Sequence, residues 1–132
     1  MRIWLILAGV NGAMAVAGGA YAAHGLTSAG AQAVRWMELA STYQLVHAVA
    51  LAVIAVLITV LRDRSRFAGW LAALSGGLMM AGIVLFCGAL YGLALDAWRF
   101  AGMAPVGGFA FVTGWLCLGG AGFMVSARVA GK

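Results

Sequence analysis

The sequence predicts an all-α integral membrane protein, an up-and-down four-helix bundle with a short interfacial helix between spans one and two. Hydrophobic residues make up 65% of the 132 residues and charged residues 8%, whereas soluble domains average roughly 45–50% and about 25%. Four stretches free of Asp, Glu, Lys and Arg are each long enough to cross a bilayer once. The period-two alternation of a barrel strand is absent. This composition excludes a soluble enzyme, a disordered segment and a nucleic-acid-binding domain.

The four spans follow from the charge-free stretches, which cover residues 3–23, 39–61, 67–95 and 100–127. Backbone groups inside lipid must satisfy their own hydrogen bonds, so each stretch is expected to be helical. We therefore expect spans at 3–23, 41–61, 67–94 and 105–127, within a single domain of residues 1–132. Residues 20–22 offer a small-x-small site typical of signal-peptide cleavage, but the first stretch is expected to be retained as a span.

The connections between the spans differ in character. Residues 31–39 predict a short helix in the membrane interface, with Ser28 as its N-cap. A tight loop at residues 62–66 joins spans two and three. The last connection runs to Pro105, which suits the first turn of the final helix because its missing N–H costs least there.

The orientation follows from the basic residues, because both termini and the 62–66 loop share one side of a four-span protein. Six basic residues lie on that side: Arg2, Arg62, Arg64, Arg66, Arg128 and Lys132. The other side holds only Arg35 and Arg99. Short loops rich in Lys and Arg stay cytoplasmic, so we expect a bacterial cytoplasmic membrane protein with both termini inside. A basic loop of this kind is typical of a position beside anionic headgroups, and no nucleic-acid partner is expected.

Small residues recur along span three at a spacing of four, then continue toward its outer end. They are Gly69, Ala73, Gly77 and Ala81, followed by Gly88 and Gly92. Small residues at this spacing let helix backbones approach closely in lipid. Packing within the bundle is the favoured interpretation, and a homo-oligomer interface is the alternative.

The polar and conformationally special residues of all four spans are expected to converge on the outer leaflet. The candidate ligand or interaction site comprises His24, Tyr43, Gln44, His47, Tyr91, Gly107 and Gly108. A secondary set comprises Cys87, Asp96, Arg99 and Asn11, of which Asn11 falls near mid-depth of span one. Asp96 and Arg99 are expected to form a solvated loop pair, with a headgroup or substrate contact as the alternative.

Tyr43, Gln44 and His47 share one broad face of span two, which should turn inward because polar side chains in lipid are costly. His47 is expected to be neutral there, since burial disfavours the charged form. The favoured interpretation is that Gln44 and His47 form hydrogen bonds to neighbouring helices. A ligand, proton or metal role is the alternative.

Two further chemistries are weighed from residue types alone. His24, His47 and Cys87 are suitable ligand types for zinc or copper, although no motif spacing supports a metal site and no cofactor is expected. Gly107 and Gly108 follow Pro105, so they could open a helix N-terminus to an anion or a carbonyl group. Close packing against span one or three is the favoured interpretation of this glycine pair.

Five segments, taken in order, carry a resemblance that extends over most of the chain. They read GGAYAAHGL at 18–26, YQLVHA at 43–48, LFCGALY at 85–91, PVGG at 105–108 and GW at 114–115. The chain resembles the YgdD/YwdK-type family of small bacterial inner-membrane proteins, a domain-of-unknown-function family. The resemblance implies four membrane spans and no established activity. Its recurrent residues, carried onto this chain, are His24, Tyr43, Gln44, His47, Phe86, Gly88, Tyr91, Pro105, Gly107 and Gly108. Cys87 and Ala89 stand where the family usually has serine, which weakens the metal hypothesis.

The sequence therefore favours a non-enzymatic membrane protein that binds a lipid, a small molecule or a membrane-protein partner at the outer-leaflet polar site. No set of nucleophile, base and acid is apparent. A small transporter or proton-coupled carrier working as an oligomer is one alternative, although no acidic residue falls within the predicted spans and only His47 could carry a proton. A redox subunit that handles a quinone or a metal is another alternative.

Overall fold

The computed structural model describes residues 2–98 and 102–130, with the side chains of the last helix described as far as Met124. Its helices are α1 (Arg2–His24), α2 (Ala31–Arg64), α3 (Arg66–Gly82), α4 (Gly88–Ala94) and α5 (Met103–Ala130). A 3-10 turn (Thr27–Ala29) precedes α2, and a π-helical turn (Ile83–Cys87) joins α3 to α4. We call the continuous stretch Arg66–Ala94 the third span. All four spans are long and apolar enough to cross a membrane, which confirms the predicted fold class.

The bundle is built around α2 and the third span. α1 packs chiefly against α2, and α5 packs chiefly against α3 and the π-helical turn. The outer helices therefore lie on opposite sides of the central pair, and each leaves much of its surface to lipid. The core between them is apolar, with Leu51, Ile54 and Met79 fully buried. This arrangement creates two separate regions in which polar side chains of α2 meet other helices.

The helix that forms the second span begins before the predicted start of that span. The predicted interfacial helix at 31–39 is the first part of α2, which runs without interruption over 34 residues from Ala31 to Arg64. No glycine or proline lies between these residues, so nothing breaks the hydrogen-bond ladder. The early turns are also held by packing, because Met37 is buried together with Leu26.

The predicted N-cap of this helix is also different. Gly30 precedes the first turn with a φ of 93°, and no side chain caps the helix. Glycine adopts this left-handed backbone conformation at little cost, which lets the chain reverse there. Ser28, the predicted N-cap, lies two residues before Gly30, in the 3-10 turn.

The third span contains a feature that the sequence did not reveal. The N–H of Gly88 donates to the carbonyl of Ile83, five residues earlier, so one turn of the span is π-helical. Such turns insert an extra residue into an α-helix and are frequent at functional sites. Here the turn carries Phe86 and changes the direction in which the following residues of α4 point.

The last helix, α5, starts at Met103, so Pro105 lies in its first turn, as the sequence indicated. Arg99 and Lys132 lie outside the described residues, so the predicted Asp96–Arg99 pair does too. Asp96 itself lies two residues beyond the third span, in a turn, with a left-handed φ of 49°.

Candidate functional site

A chain of hydrogen bonds links three spans through Asn11, Gln44 and Tyr91. The Tyr91 hydroxyl donates to Gln44 Oε1 at 2.7 Å, and Gln44 Nε2 donates to Asn11 Oδ1 at 2.9 Å. Asn11 Nδ2 then donates to the carbonyl of Leu7 at 2.8 Å, and its contact with Met80 Sδ is 3.6 Å long. Each bond runs in the same direction, from α4 through α2 to α1.

This polar chain is satisfied by the protein itself. Gln44 is 2% exposed and Asn11 is 6% exposed. Within the described residues, no buried side-chain nitrogen or oxygen lacks a hydrogen-bond partner. A fully satisfied buried network rigidifies the elements that it joins. The arrangement supports the favoured interpretation of Gln44 as a structural link between helices, and it raises Asn11 from a secondary residue to a central one.

His47, three residues after Gln44 on the buried face of α2, meets α5 instead of α1 and α4. Trp115 Nε1 donates to His47 Nε2 at 3.3 Å, and His47 Nδ1 lies 2.7 Å from the carbonyl of Tyr43. An indole N–H only donates and a carbonyl only accepts, so both bonds form together when Nδ1 alone carries a proton. In this geometry His47 is neutral, and both of its ring nitrogens are engaged within the bundle. Neither nitrogen is therefore free to accept a second proton while both hydrogen bonds are in place.

His47 belongs to a cluster of five aromatic rings between α2, the π-helical turn and α5. Its ring stacks on Phe111 at a centroid distance of 3.6 Å. Tyr43 lies 4.8 Å from Phe86, and Phe86 meets Phe111 edge to face at 5.9 Å. Trp115 completes the cluster, with its ring 6.1 Å from His47. Offset and edge-to-face pairs of this kind are favourable arrangements of aromatic rings.

These rings line a groove of about 450 Å³ on the lipid-facing surface. We call it the aromatic groove. Its lining residues are Tyr43, His47, Phe86, Pro105, Gly108, Phe109, Phe111, Val112 and Trp115. Its walls are almost wholly apolar, so it suits a molecule that is already dissolved in the membrane.

One polar group in the aromatic groove remains available. Tyr43 is 40% exposed, and its hydroxyl makes no hydrogen bond within the described part of the chain. A phenolic hydroxyl both donates and accepts. The groove therefore combines flat apolar walls with a single hydrogen-bonding group.

The two glycines of α5 have different surroundings. A Cβ on Gly107 would meet the backbone nitrogen of Phe86 and would lie 2.9 Å from its Cα. Gly107 thus allows α5 to lie directly on the π-helical turn, which agrees with the favoured interpretation of close packing. Gly108 has nothing within 4 Å of its Cβ position and opens onto the aromatic groove.

The structure does not bring His24 to the other candidate residues. His24 ends α1 on an exposed surface, 13 residues beyond Asn11. His47 lies three residues from Gln44 in the opposite direction along the bundle. Because Asn11 and Gln44 are hydrogen-bonded to each other, the two histidines are separated by about 24 Å along the axis at 1.5 Å per residue.

The alternative of a metal site at His24, His47 and Cys87 is therefore not supported. Cys87 is buried in the apolar core with 1% exposure. Among the residues that the structure describes, no group of three or more His, Cys, Asp or Glu side chains could hold a metal ion.

The small residues of span three do not form one continuous packing face. Gly69 is buried against Arg62, whereas Gly77 is exposed with nothing within 4 Å of its Cβ position. Close helix contacts form instead at Gly76, which lies against Trp4, and at Gly82, which lies under Phe111.

Some residues of the aromatic groove escaped the sequence reasoning. Phe111 was not singled out, and Phe86 and Trp115 entered only through the resemblance. A signal was present, because Gly107, Phe111 and Trp115 recur at a spacing of four and so share one face of α5.

Comparison with known proteins identifies relatives over most of the chain. The pattern of a family described as "Protein of unknown function (DUF423)" matches residues 18–108. A UPF0382 membrane protein of Staphylococcus epidermidis is 39% identical over 122 residues, covering 89% of this chain and 93% of that protein. A UPF0382 membrane protein of Haemophilus influenzae is 39% identical over 117 residues, covering 87% and 89%.

A third relative, the UPF0382 membrane protein of Staphylococcus saprophyticus, is 38% identical over 120 residues, covering 89% of this chain and 94% of that protein. No solved structure matches the chain. The relatives are membrane proteins of bacteria, and the four apolar helices fit a multi-pass membrane protein. These matches confirm the predicted resemblance to a small membrane family without an assigned activity. The chain belongs to the DUF423 family of small bacterial membrane proteins, embedded in the lipid bilayer.

Proposed function

We propose that the protein binds a lipid-soluble molecule with a flat, carbonyl-bearing ring, of the quinone class, in the aromatic groove. The observation that carries the proposal is that Tyr43, whose hydroxyl has no hydrogen-bond partner among the described residues, lines a groove of about 450 Å³ with almost wholly apolar walls. Quinones are flat and apolar, and each has two carbonyl oxygens that accept hydrogen bonds. The groove offers rings for stacking and one donor for a carbonyl.

The position of His47 supports a binding role over a chemical one. Both of its ring nitrogens are engaged, by Trp115 and by the carbonyl of Tyr43. His47 therefore holds the rings of the groove in place, while Tyr43 supplies the polar contact. Pre-organised walls of this kind lower the entropic cost of binding.

The test is a fluorescence titration of the purified protein in detergent with a short-chain benzoquinone, which quenches tryptophan emission. We expect saturable quenching that is reduced in Trp115→Phe, because Trp115 lines the groove. Tyr43→Phe removes only the hydroxyl and should weaken binding by roughly 2- to 10-fold.

A matched pair of glycine variants separates binding in the groove from partition into the micelle. Gly108→Leu fills the aromatic groove, whereas Gly119→Leu adds the same side chain to α5 outside it. Both glycines have nothing within 4 Å of their Cβ positions. We expect Gly108→Leu to abolish saturable quenching and Gly119→Leu to retain it. Equal quenching in the two variants, or a linear response in the unaltered protein, would contradict the proposal.

We also propose that both termini lie in the cytoplasm, which the excess of basic residues at that end supports. Lys132 is the one lysine of the chain, so a membrane-impermeant amine reagent reports on the terminal side only. Labelling that requires permeabilised cells is expected. Labelling in intact cells would contradict the proposal and place the termini outside.

We propose, finally, that two copies associate through the lipid-facing side of the third span. Gly77 is exposed there, and Val84, two turns further along, is 63% exposed. Gly77→Leu should shift the oligomer distribution in native mass spectrometry toward the monomer, whereas Gly12→Leu, on α1, should not. Unchanged distributions in both variants would remove the third span as the interface.

A further inference from the structure

A second candidate site lies at the opposite end of the bundle, where α2 meets α3. Only Ser65 separates the two helices, and its hydroxyl accepts a hydrogen bond from the N–H of Ala68 at 3.4 Å. We call residues 62–66 the arginine turn. It contains three arginines and one aspartate, which gives a net charge of +2 within five residues. The turn joins two membrane spans, so it lies at the membrane surface.

Two of the arginines flank a cavity. The cavity has a volume of about 430 Å³ and is lined by Arg62, Arg66 and Trp70. Arg62 reaches it because Gly69 leaves room for the Arg62 stem, since a Cβ on Gly69 would meet Arg62 Cγ and would lie 3.1 Å from Arg62 Cα. The absence of a side chain at residue 69 thus lets the two arginines, one from each helix, face the same space. Arg64 belongs to the same turn but does not line the cavity.

The arginine turn carries more positive than negative charge. Within the described residues, no hydrogen bond or ion pair engages the guanidinium groups of Arg62, Arg64 or Arg66. Guanidinium groups present paired donors that match the oxygens of a phosphate. Two arginines lining one cavity at a membrane surface therefore offer the donors that a phosphate group requires.

Apolar surface continues from the cavity toward the lipid. Phe67 is 56% exposed and Trp70 is 57% exposed. Their rings stack with a centroid distance of 6.0 Å and an interplanar angle of 22°. Tryptophan favours the membrane interface, where its ring meets both the headgroups and the acyl chains. A free phosphate ion has no apolar part that could pack against this aromatic surface, whereas the acyl chains of a phospholipid could do so.

We propose that Arg62, Arg66 and Trp70 form a binding site for an anionic phospholipid. The two guanidinium groups hold the phosphate, and the acyl chains lie against Phe67 and Trp70. A zwitterionic lipid binds less well, because its own cation opposes the net charge of +2. The proposal uses none of the aromatic groove and stands independently of the quinone-class ligand.

The test measures lipid adducts by native mass spectrometry of the full-length protein, released from detergent with added phosphatidylglycerol or with phosphatidylcholine of the same chains. The unaltered protein should retain one phosphatidylglycerol in preference. Arg62→Gln and Arg66→Gln should each reduce this retention roughly tenfold. Arg64→Gln removes the same charge from the same turn outside the cavity, so it should stay within roughly twofold.

Three outcomes would overturn the proposal. If Arg64→Gln loses as much phosphatidylglycerol as Arg62→Gln and Arg66→Gln do, the lipid is attracted by the overall charge of the turn and not by the cavity. Equal retention of the two lipids would show that the headgroup is not recognised. Displacement of phosphatidylglycerol by millimolar inorganic phosphate would identify a site for the free ion.

Lysine substitutions and a fluorescence experiment test the same proposal if the glutamine variants aggregate. Arg62→Lys and Arg66→Lys keep the charge and lose the paired donors, so they should retain less lipid than the unaltered protein and more than the glutamine variants. Brominated phosphatidylglycerol should also quench the emission that Trp70→Phe removes. Absence of that quenching at Trp70 would likewise overturn the proposal.

Discussion

Replacement of Gln44 by leucine tests whether the polar chain holds the bundle together. The substitution conserves most of the side-chain volume and removes both interhelical hydrogen bonds of Gln44, the 2.9 Å bond to Asn11 and the 2.7 Å bond from Tyr91. Interhelical hydrogen bonds in membranes contribute about 0.6 kcal/mol on average and up to about 1.7 kcal/mol. An orphaned buried polar group costs about 1–3 kcal/mol.

Gln44→Leu loses two bonds and leaves two groups, Asn11 Oδ1 and the Tyr91 hydroxyl, without partners. We therefore expect the free energy of unfolding to fall by about 2–4 kcal/mol. The assay is titration of the purified protein in mixed micelles with a denaturing detergent, followed by circular dichroism. Tyr91→Phe breaks one bond and leaves one group, Gln44 Oε1, without a partner, so it should cost about 1–2 kcal/mol.

The double variant isolates the coupling. Because Gln44 and Tyr91 share one bond, the double variant should lose about 1 kcal/mol less stability than the sum of the losses in the two single variants. Thr113→Val is the matched control, since the Thr113 hydroxyl donates to Phe109 within its own helix on an exposed surface. The control should change stability by less than about 0.5 kcal/mol. Additive costs for Gln44→Leu and Tyr91→Phe, or a cost for Gln44→Leu no larger than that of the control, would refute the reasoning.

The remaining predictions concern the contact of α5 with the third span. Gly107→Ala should destabilise the protein by about 1–3 kcal/mol because its Cβ would press on the backbone of Phe86, whereas Gly108→Ala should stabilise it by about 0.5–1 kcal/mol through helix propensity. Thermal unfolding in detergent distinguishes the two variants, and equal effects would contradict the close approach at Gly107. Ser75→Ala removes the 2.7 Å bond from the buried Ser75 hydroxyl to the carbonyl of Gly114. It should lower the free energy of unfolding by about 0.6–1.7 kcal/mol in the same assay. Unchanged stability would show that this bond does not stabilise the bundle.

The placement of Gln44 and His47 shows where sequence reasoning reached its limit. The two residues are three positions apart on α2, and their spacing correctly placed both on the buried face. Spacing along one helix does not say which neighbour packs beside each residue. In the structure α1 and α4 approach Gln44, whereas α5 approaches His47. One predicted polar cluster therefore became a satisfied hydrogen-bond chain and a separate aromatic groove.

The separation of His24 from the other candidate residues has a different cause, which is the early start of α2. The sequence placed the start of the second span near residue 41, which set His24 level with Tyr43. Hydropathy marks where the lipid begins but does not mark where a helix begins, because a helix continues into water wherever its backbone is uninterrupted and its side chains pack. α2 begins at Ala31, and its first turns pack against the end of α1. His24 is therefore separated from His47 along the axis of the bundle.

The class of protein, the number of spans, the first turn of the last helix and the burial of Gln44 and His47 could all be predicted from the amino-acid sequence. These properties depend on local composition and on the requirement that backbone groups in lipid bond to one another. The partners of each polar side chain, the π-helical turn that carries Phe86 and the close approach of Gly107 became apparent only from the packing of the helices. These features depend on which helices lie side by side, and in a membrane that choice depends on packing and on a few hydrogen bonds between distant residues.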